Sequence, residues 1–155
     1  MQIDRMATTA RNGALPSALS VRAMTLWDIA EVIALLRQFP SVHFCDWEDE
    51  QLLAHVLAQS PPSCFVAHDG RRMIGAIISG VLGTRGTINH IAVEASYRSQ
   101  GIGQLLLAHV LESFRNAGIR RVFLFVLRNQ PTALRFWNAA GFHETTGEVT
   151  LERDI

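Results

Sequence analysis

The residues best suited to chemistry fall within residues 87–114, TINHIAVEASYRSQGIGQLLLAHVLESF. A polar turn, Arg98-Ser99-Gln100, leads to Gly101 and Gly103. After it Ile102, Leu106, Val110 and Phe114 recur every four residues, with Leu105 and Leu111 widening the stripe. Before it stands a short β-branched run, residues 88–93. This pattern predicts a strand, a tight turn and a helix. At a helix start, N–H groups without partners and the positive end of the dipole face outward. Glycine, lacking Cβ, lets a ligand approach them closely. The chemistry implied is anion binding, most naturally of phosphate or pyrophosphate. Two familiar phosphate motifs are missing: there is no Gly-Lys-Ser/Thr, and Gln104, Leu105 and Leu106 follow Gly103 where a third glycine would be needed.

Other polar residues near this stretch suggest less. Strict alternation along the strand places Thr87, Asn89, Ile91 and Val93 on one face and Ile88, His90 and Ala92 on the other. Asn89 can position a water but cannot act as a base. His90 has a suitable side chain, yet a structural role is favoured for it unless a bulge turns it round. His43, Cys45, Asp46 and His55 lack the C-x-x-C or H-x-x-x-H spacing of a ligand pair, so no metal site is expected.

The elements that must position these residues follow from the rest of the chain. Its 155 residues suit one domain with one core, and 48% hydrophobic against 18% charged residues allows that core to be sizeable. Lys plus Arg equals Asp plus Glu at 14 each, which argues against broad nucleic-acid or anionic-membrane binding. Arg115, Arg120, Arg121 and Arg128 still form a local basic cluster late in the chain. Two cysteines, Cys45 and Cys64, do not make a disulfide framework, and a cytoplasmic protein is the simplest inference. No apolar run approaches the roughly 18 residues of a membrane span. Residues 1–19 lack hydrophobic periodicity and read as a flexible tail, leaving residues 20–155 as a single domain.

Residues 20–24 alternate as a first strand. Thr25 and Asp28 make a capping-box-like start to a helix with Ile29, Val32, Ile33 and Leu36 on one face. Asp46 is placed to cap a second helix carrying Leu52, Leu53, Val56 and Leu57. Residues 63–68 and 72–81 form a hairpin across Asp69-Gly70, and a second hairpin loop, residues 82–86, leads into the central strand. Residues 122–127, VFLFVL, are apolar on both faces, as in a sheet interior. Pro131 stands in the first turn of a last helix, which Gly141 closes. Residues 142–145 and 149–153 form a terminal hairpin.

Arg98-Ser99-Gln100-Gly101-Ile102-Gly103 resembles the Arg/Gln-x-x-Gly-x-Gly/Ala signature of the GNAT superfamily, the acyl-CoA-dependent N-acyltransferases. A second landmark, Asn129, Ala133, Phe136, Trp137, Gly141 and Phe142, resembles that family's Asn-x-x-x-Ala-x-x-x-Tyr-x-x-x-Gly-Phe pattern. The resemblance runs from residue 20 to about residue 153. It implies an α/β fold: a mixed, mostly antiparallel sheet of about six to seven strands, a parallel splayed pair in its middle, and about four flanking helices.

The same resemblance implies acetyl-CoA as co-substrate, no metal, and a primary amine that attacks the thioester directly. Arg98, Ser99, Gln100, Gly101, Ile102, Gly103 and Gln104 would cradle the pyrophosphate. The pantetheine arm would pair with backbone at Ile91 and Val93, with the Val93 N–H facing the thioester oxygen and Asn129 contacting the cofactor. His43, Phe44 and Trp47 would wall the acceptor pocket. Where many members carry tyrosine, this chain has Trp137, whose indole N–H cannot protonate a departing thiolate; aromatic packing beside the cofactor arm is the favoured role. Tyr97, the only tyrosine, does not match that position. The general acid and base therefore stay open, as does the acceptor. The alternative to a transferase is an acyl-CoA binding or sensing protein of the same fold. Homodimerisation through the terminal hairpin or a sheet edge is compatible with this reading.

Overall fold

The computed structural model describes residues 14–46, 48–58 and 63–153. They comprise β1 (Leu19–Ala23), α1 (Ile29–Arg37), α2 (Glu50–Leu57), β2 (Phe65–Asp69), β3 (Arg72–Leu82), β4 (Arg85–Val93), α3 (Ile102–Asn116), β5 (Val122–Leu124) and α4 (Pro131–Ala139). Short 3-10 turns occupy Leu26–Asp28, Pro40–Val42 and Ala95–Tyr97. The chain divides into two compact units, one up to Phe125 and one from Val126 onward. The tail expected over residues 1–19 lies outside the described residues up to residue 13, and Leu19 already belongs to β1.

In the first unit the strands run in the order β1-β2-β3-β4-β5. The pairs β1–β2, β2–β3 and β3–β4 are antiparallel, and β4–β5 is parallel. The parallel pair requires a crossover, and α3 supplies it. The sheet is mixed and mostly antiparallel, as expected, but it has five strands rather than six or seven among the described residues. Residues 142–153 form no ladder, and Val149 and Leu151 stand exposed. The parallel pair accordingly closes the sheet instead of sitting in its middle. For the same reason β5 is short, and Phe125, expected in a doubly covered strand, is 71% exposed.

One face of the sheet carries α1 and α2. Ile29, Val32, Ile33, Leu35 and Leu36 of α1 pack with Val66, Met73, Ala76, Ile78 and Ala92. The entry to α1 is fixed by Asp28, whose carboxylate takes two 2.7 Å bonds from the Arg22 guanidinium and 2.8 Å bonds from the Thr25 N–H and hydroxyl. These donors, led by Arg22, outweigh the opposing effect of burial and hold the Asp28 carboxyl well below the usual carboxylate range. The N-cap of α2 is Asp49, whose Oδ1 accepts from Leu52 N at 3.0 Å, rather than the expected Asp46. The cap must sit directly before the first helical turn, and Asp46 lies three residues too early.

The other face carries α3 through its buried Ile102, Leu106, Leu107, Val110 and Phe114. Two glycines permit this approach. A Cβ on Gly86 would lie 2.5 Å from the Phe114 ring, and one on Gly75 would lie 3.2 Å from Leu106.

In the second unit Trp137 packs edge-on between Phe136, with ring centroids 4.8 Å apart, and Phe142, at 5.3 Å. Gly141, at φ +88°, ends α4 in the left-handed region, and the Phe142 N–H returns to the Trp137 carbonyl at 3.0 Å.

Candidate functional site

The end of β4 and the start of α3 converge. Gly75 pairs with Val93 and also lies against Ile102 and Leu106 in the first turns of α3. The last residue of β4 and the first turn of α3 therefore share one end of the sheet.

The turn between them takes two left-handed residues, Ser99 at φ +62° and Gly101 at φ +87°. The first intrahelical bond of α3 runs from Leu105 N to Gly101 O at 3.0 Å. The N–H groups of Ile102, Gly103 and Gln104 thus have no acceptor within the helix, and no side chain caps it. Nothing lies within 4 Å of the position a Cβ on Gly101 would take, so the approach to these donors is open. The Gln100 side chain donates inward to the Ser96 carbonyl at 3.2 Å. Backbone N–H groups and the helix dipole thus make a cradle suited to phosphate oxygens.

Val93 faces a gap. Glu94 N bonds Ile74 O at 2.8 Å, and hydrogen-bonded pairs alternate along an antiparallel ladder. The N–H and C=O of Val93, and those of Ile91 two residues earlier, therefore point away from β3. On that side β5 pairs with Gly86, Thr87 and Ile88 only. From Asn89 onward this edge of β4 has no strand partner among the described residues. A free extended edge beside a helix N-terminus can take an extended ligand arm on its backbone groups and an anion on the helix. The Val93 carbonyl is already used: it accepts from Arg98 Nε at 3.1 Å. Its N–H stays directed to this unpaired edge.

A bulge corrects the faces assigned by strict alternation. Ile78 pairs with His90 and Ser79 with Ile88, so Asn89 is an extra residue. Residues paired across a ladder share a face. Ile88 therefore joins Ile91 and Val93 on the α3 face, while His90 and Ala92 join Thr87 on the face of α1 and α2. Asn89 is exposed at the bulge, and its side chain meets the Thr87 hydroxyl at 3.2 Å.

On the α1–α2 face His90 has two acceptors. Its Nδ1 lies 3.2 Å from the Val42 carbonyl and its Nε2 lies 2.7 Å from Glu48 Oε1. Both ring nitrogens of His90 thus face an oxygen, one from the backbone and one from a carboxylate. Glu48 Oε2 accepts from Cys45 N at 2.7 Å. Burial pushes the Glu48 carboxyl up, but the bonds from His90 and Cys45 outweigh it and hold the group below its ordinary value. The Phe44 ring meets His90 edge-on at 5.2 Å, and the Arg37 guanidinium lies over the Phe44 ring at 5.8 Å.

Of the residues expected to wall an acceptor pocket, Phe44 belongs to this cluster, His43 is exposed in a left-handed conformation, and Trp47 lies outside the described residues. Glu48 was not expected: it is one of several acids in its segment, and only its contact with a strand 42 residues away distinguishes it. Tyr97 donates to Asp69 at 3.0 Å and thereby ties the glycine-turn lead-in to the β2–β3 hairpin. Asn129 and Trp137 both belong to the second unit, where Asn129 is exposed just ahead of α4. Among the described residues no group of three or more His, Cys, Asp or Glu could hold a metal. None of the helices described is long and apolar enough to cross a membrane.

A parallel pair that ends after three residues, a β-bulge in the longer of the two strands and a glycine-rich helix start together fit the acyl-CoA transferase fold that the sequence resembles. The sequence model of the Acetyltransferase (GNAT) family matches residues 26–142, and the chain belongs to that family. Membership implies use of acetyl-CoA and an amine acceptor.

Among curated proteins, the chain is 29% identical over 75 residues to the [ribosomal protein bS18]-alanine N-acetyltransferase of Escherichia coli, covering 48% of this chain and 51% of that protein. It is 34% identical over 89 residues to N-alpha-acetyltransferase 30 of Schizosaccharomyces pombe, covering 54% and 59%. The chain thus spans about half the length of the curated relatives it matches. Among solved structures, Ard1 from Thermoplasma volcanium superposes with a TM-score of 0.72 at 22% identity over 83% of this chain and 85% of that one. An aminoglycoside acetyltransferase from a soil metagenome gives 0.71 at 20% identity, over 89% and 97%. At such identities these two establish the fold alone.

Proposed function

We propose that this protein transfers the acetyl group of acetyl-CoA to the α-amine of a peptide or protein, by direct attack of the amine on the thioester. The observation that carries the transferase reading is the open β4 edge, with the Val93 N–H directed into it, beside the cradle at Ile102, Gly103 and Gln104. The cradle would hold the pyrophosphate, with Ser99, Gln100 and Gly101 shaping it. The Ile91 and Val93 backbone would hold the pantetheine arm, and the Val93 N–H would stabilise the oxyanion as it develops.

Two considerations favour an α-amine. Of the curated relatives described above, one is named an alanine N-acetyltransferase of a ribosomal protein and the other an N-alpha-acetyltransferase. The acceptor side also presents a carboxylate of lowered pKa, Glu48, which suits ammonium binding better than proton abstraction. Without a strong base, an amine must lose its proton largely to solvent. An α-amine near pKa 8 is about one-fifth neutral at pH 7.4, whereas a lysine near 10.4 is about one-thousandth neutral. In this reading Glu48 anchors the α-ammonium while Phe44 and His43 contact the acceptor's first residues.

The test incubates the protein with acetyl-CoA and two peptides, one with an alanine N-terminus and one N-terminally blocked with an internal lysine. Mass spectrometry should show acetylation of the α-amine and none of the blocked peptide. Acetylation of lysine alone would defeat the α-amine assignment. Tight acetyl-CoA binding without turnover of any amine would favour the sensing alternative, which draws support from the packing of Trp137 between two phenylalanines where a tyrosine is usual.

A further inference from the structure

Arg98 occupies the first position of the glycine-turn signature, where a cationic side chain invites assignment as a phosphate ligand. Its geometry supports a different task. The Nε–H donates to the Val93 carbonyl at 3.1 Å, and the guanidinium carbon lies 4.4 Å above the centre of the Phe39 ring. Phe39 directly precedes the 3-10 turn Pro40–Val42, and the Val42 carbonyl at the end of that turn faces His90 Nδ1. One side chain thus joins three things: the glycine turn, the final peptide of β4, and the entrance to the segment that carries Phe44 and Glu48.

We infer that Arg98 is a positioning residue. It ties the glycine turn to the Val93 carbonyl at the end of β4 and holds the Phe39 segment against that end, while the backbone N–H groups of the turn bind the phosphates. Two features support this. The Val93 carbonyl lies on the edge of β4 that has no strand partner among the described residues; its peptide is tied to β3 through the Glu94 N–H on the Ile74 carbonyl, and the Arg98 Nε–H ties its other end to the glycine turn. And the cradle's donors at Ile102, Gly103 and Gln104 need no side-chain help to receive an anion. The planar guanidinium is essential because it donates along its edge and stacks through its face at once, which an ammonium cannot do. This inference rests on the transferase reading for its kinetic consequence, but its structural consequence stands apart from it.

Three full-length variants separate the two roles. Arg98→Lys keeps the positive charge and loses both the planar stack and the Nε–H. Arg98→Gln loses the charge. Phe39→Leu removes the ring and leaves Arg98 in place. Calorimetric titration with CoA should give dissociation constants within threefold of wild type for all three. At saturating acetyl-CoA, kcat should fall tenfold or more in Arg98→Lys and by a smaller factor in Phe39→Leu. A tenfold loss of CoA affinity in Arg98→Gln with kcat retained in Arg98→Lys would make Arg98 a phosphate ligand and overturn the inference. Amide hydrogen exchange in the protein without CoA gives an independent readout: Phe39, Ser41 and Val42 should exchange faster in Arg98→Lys, and unchanged exchange would also overturn it. Failure of the wild type to bind CoA would defeat the transferase reading, while the exchange measurement would still decide the role of Arg98.

Discussion

At Gly101 backbone freedom and ligand access coincide. Its φ of +87° strains any other residue, yet the space where a Cβ would stand is open. A substitution there should cost about 1–2 kcal/mol through backbone strain without any steric clash. Glu at this position also brings a negative charge to a helix N-terminus, which favours the helix but repels phosphate. Gly101→Glu should therefore weaken CoA binding at least tenfold with only a modest fall in Tm; calorimetric titration beside a thermal melt checks both. Glu48 makes the complementary case on the acceptor side. Glu48→Gln keeps the shape and removes the charge, so it should raise KM for an α-amine peptide by about tenfold, the equivalent of one charge-assisted hydrogen bond. CoA affinity should not change, and a shift in CoA affinity with KM for the peptide unmoved would remove Glu48 from the acceptor side.

At the scale of elements, the contact that sets the site is α3 on the sheet. Phe114 is fully buried against the face where Gly86 lies, and a Cβ at Gly86 would sit 2.5 Å from its ring. Gly86→Ala should thus destabilise the protein by about 1–3 kcal/mol through overpacking. The double variant Gly86→Ala/Phe114→Leu should lose less than the two single variants together, which urea unfolding of Gly86→Ala, Phe114→Leu and the double variant would reveal; simple additivity would place the strain elsewhere.

This packing also explains what the sequence made legible. The four-residue recurrence of Ile102, Leu106, Val110 and Phe114 predicted α3 and its buried face, and Gly101-Ile102-Gly103 marked its start. The β4 bulge was not legible, because register depends on the pairing of two strands and not on the alternation of one. It moved Ile88 to the α3 face and left His90 facing α1 and α2. Glu48 was hidden for a related reason: its partner His90 lies far along the chain. The apolar run at residues 122–127 suggested a doubly covered strand, but burial also depends on the neighbour, and β5 ends the sheet.

Across the first unit, the two faces of the sheet are secured by different physics, and acid should separate them. The α3 face is held by Ile102, Leu106, Leu107, Val110 and Phe114, none of which titrates. The α1–α2 face combines an apolar core with two carboxylates that bind across elements: Asp28 to Arg22 of β1, and Glu48 to His90 of β4. Both carboxyls are held below their ordinary values in the folded protein. A lowered folded pKa contributes stability above the unfolded value, near 4, and that contribution is lost as pH falls toward the folded value. Asp28→Asn should therefore cost about 2 kcal/mol at pH 7, on the scale of one hydrogen bond to a charged group. That deficit should shrink steadily as pH falls from about 5 toward 3, because the wild type is then losing what the variant never had. Hydrogen exchange over the same range should show α1 and α2 losing protection ahead of α3. A deficit that stayed constant to pH 3 would mean that Asp28 is not held as an anion by Arg22 and Thr25. Equal loss of protection in α1 and α3 would mean that the two faces open together, as one cooperative unit.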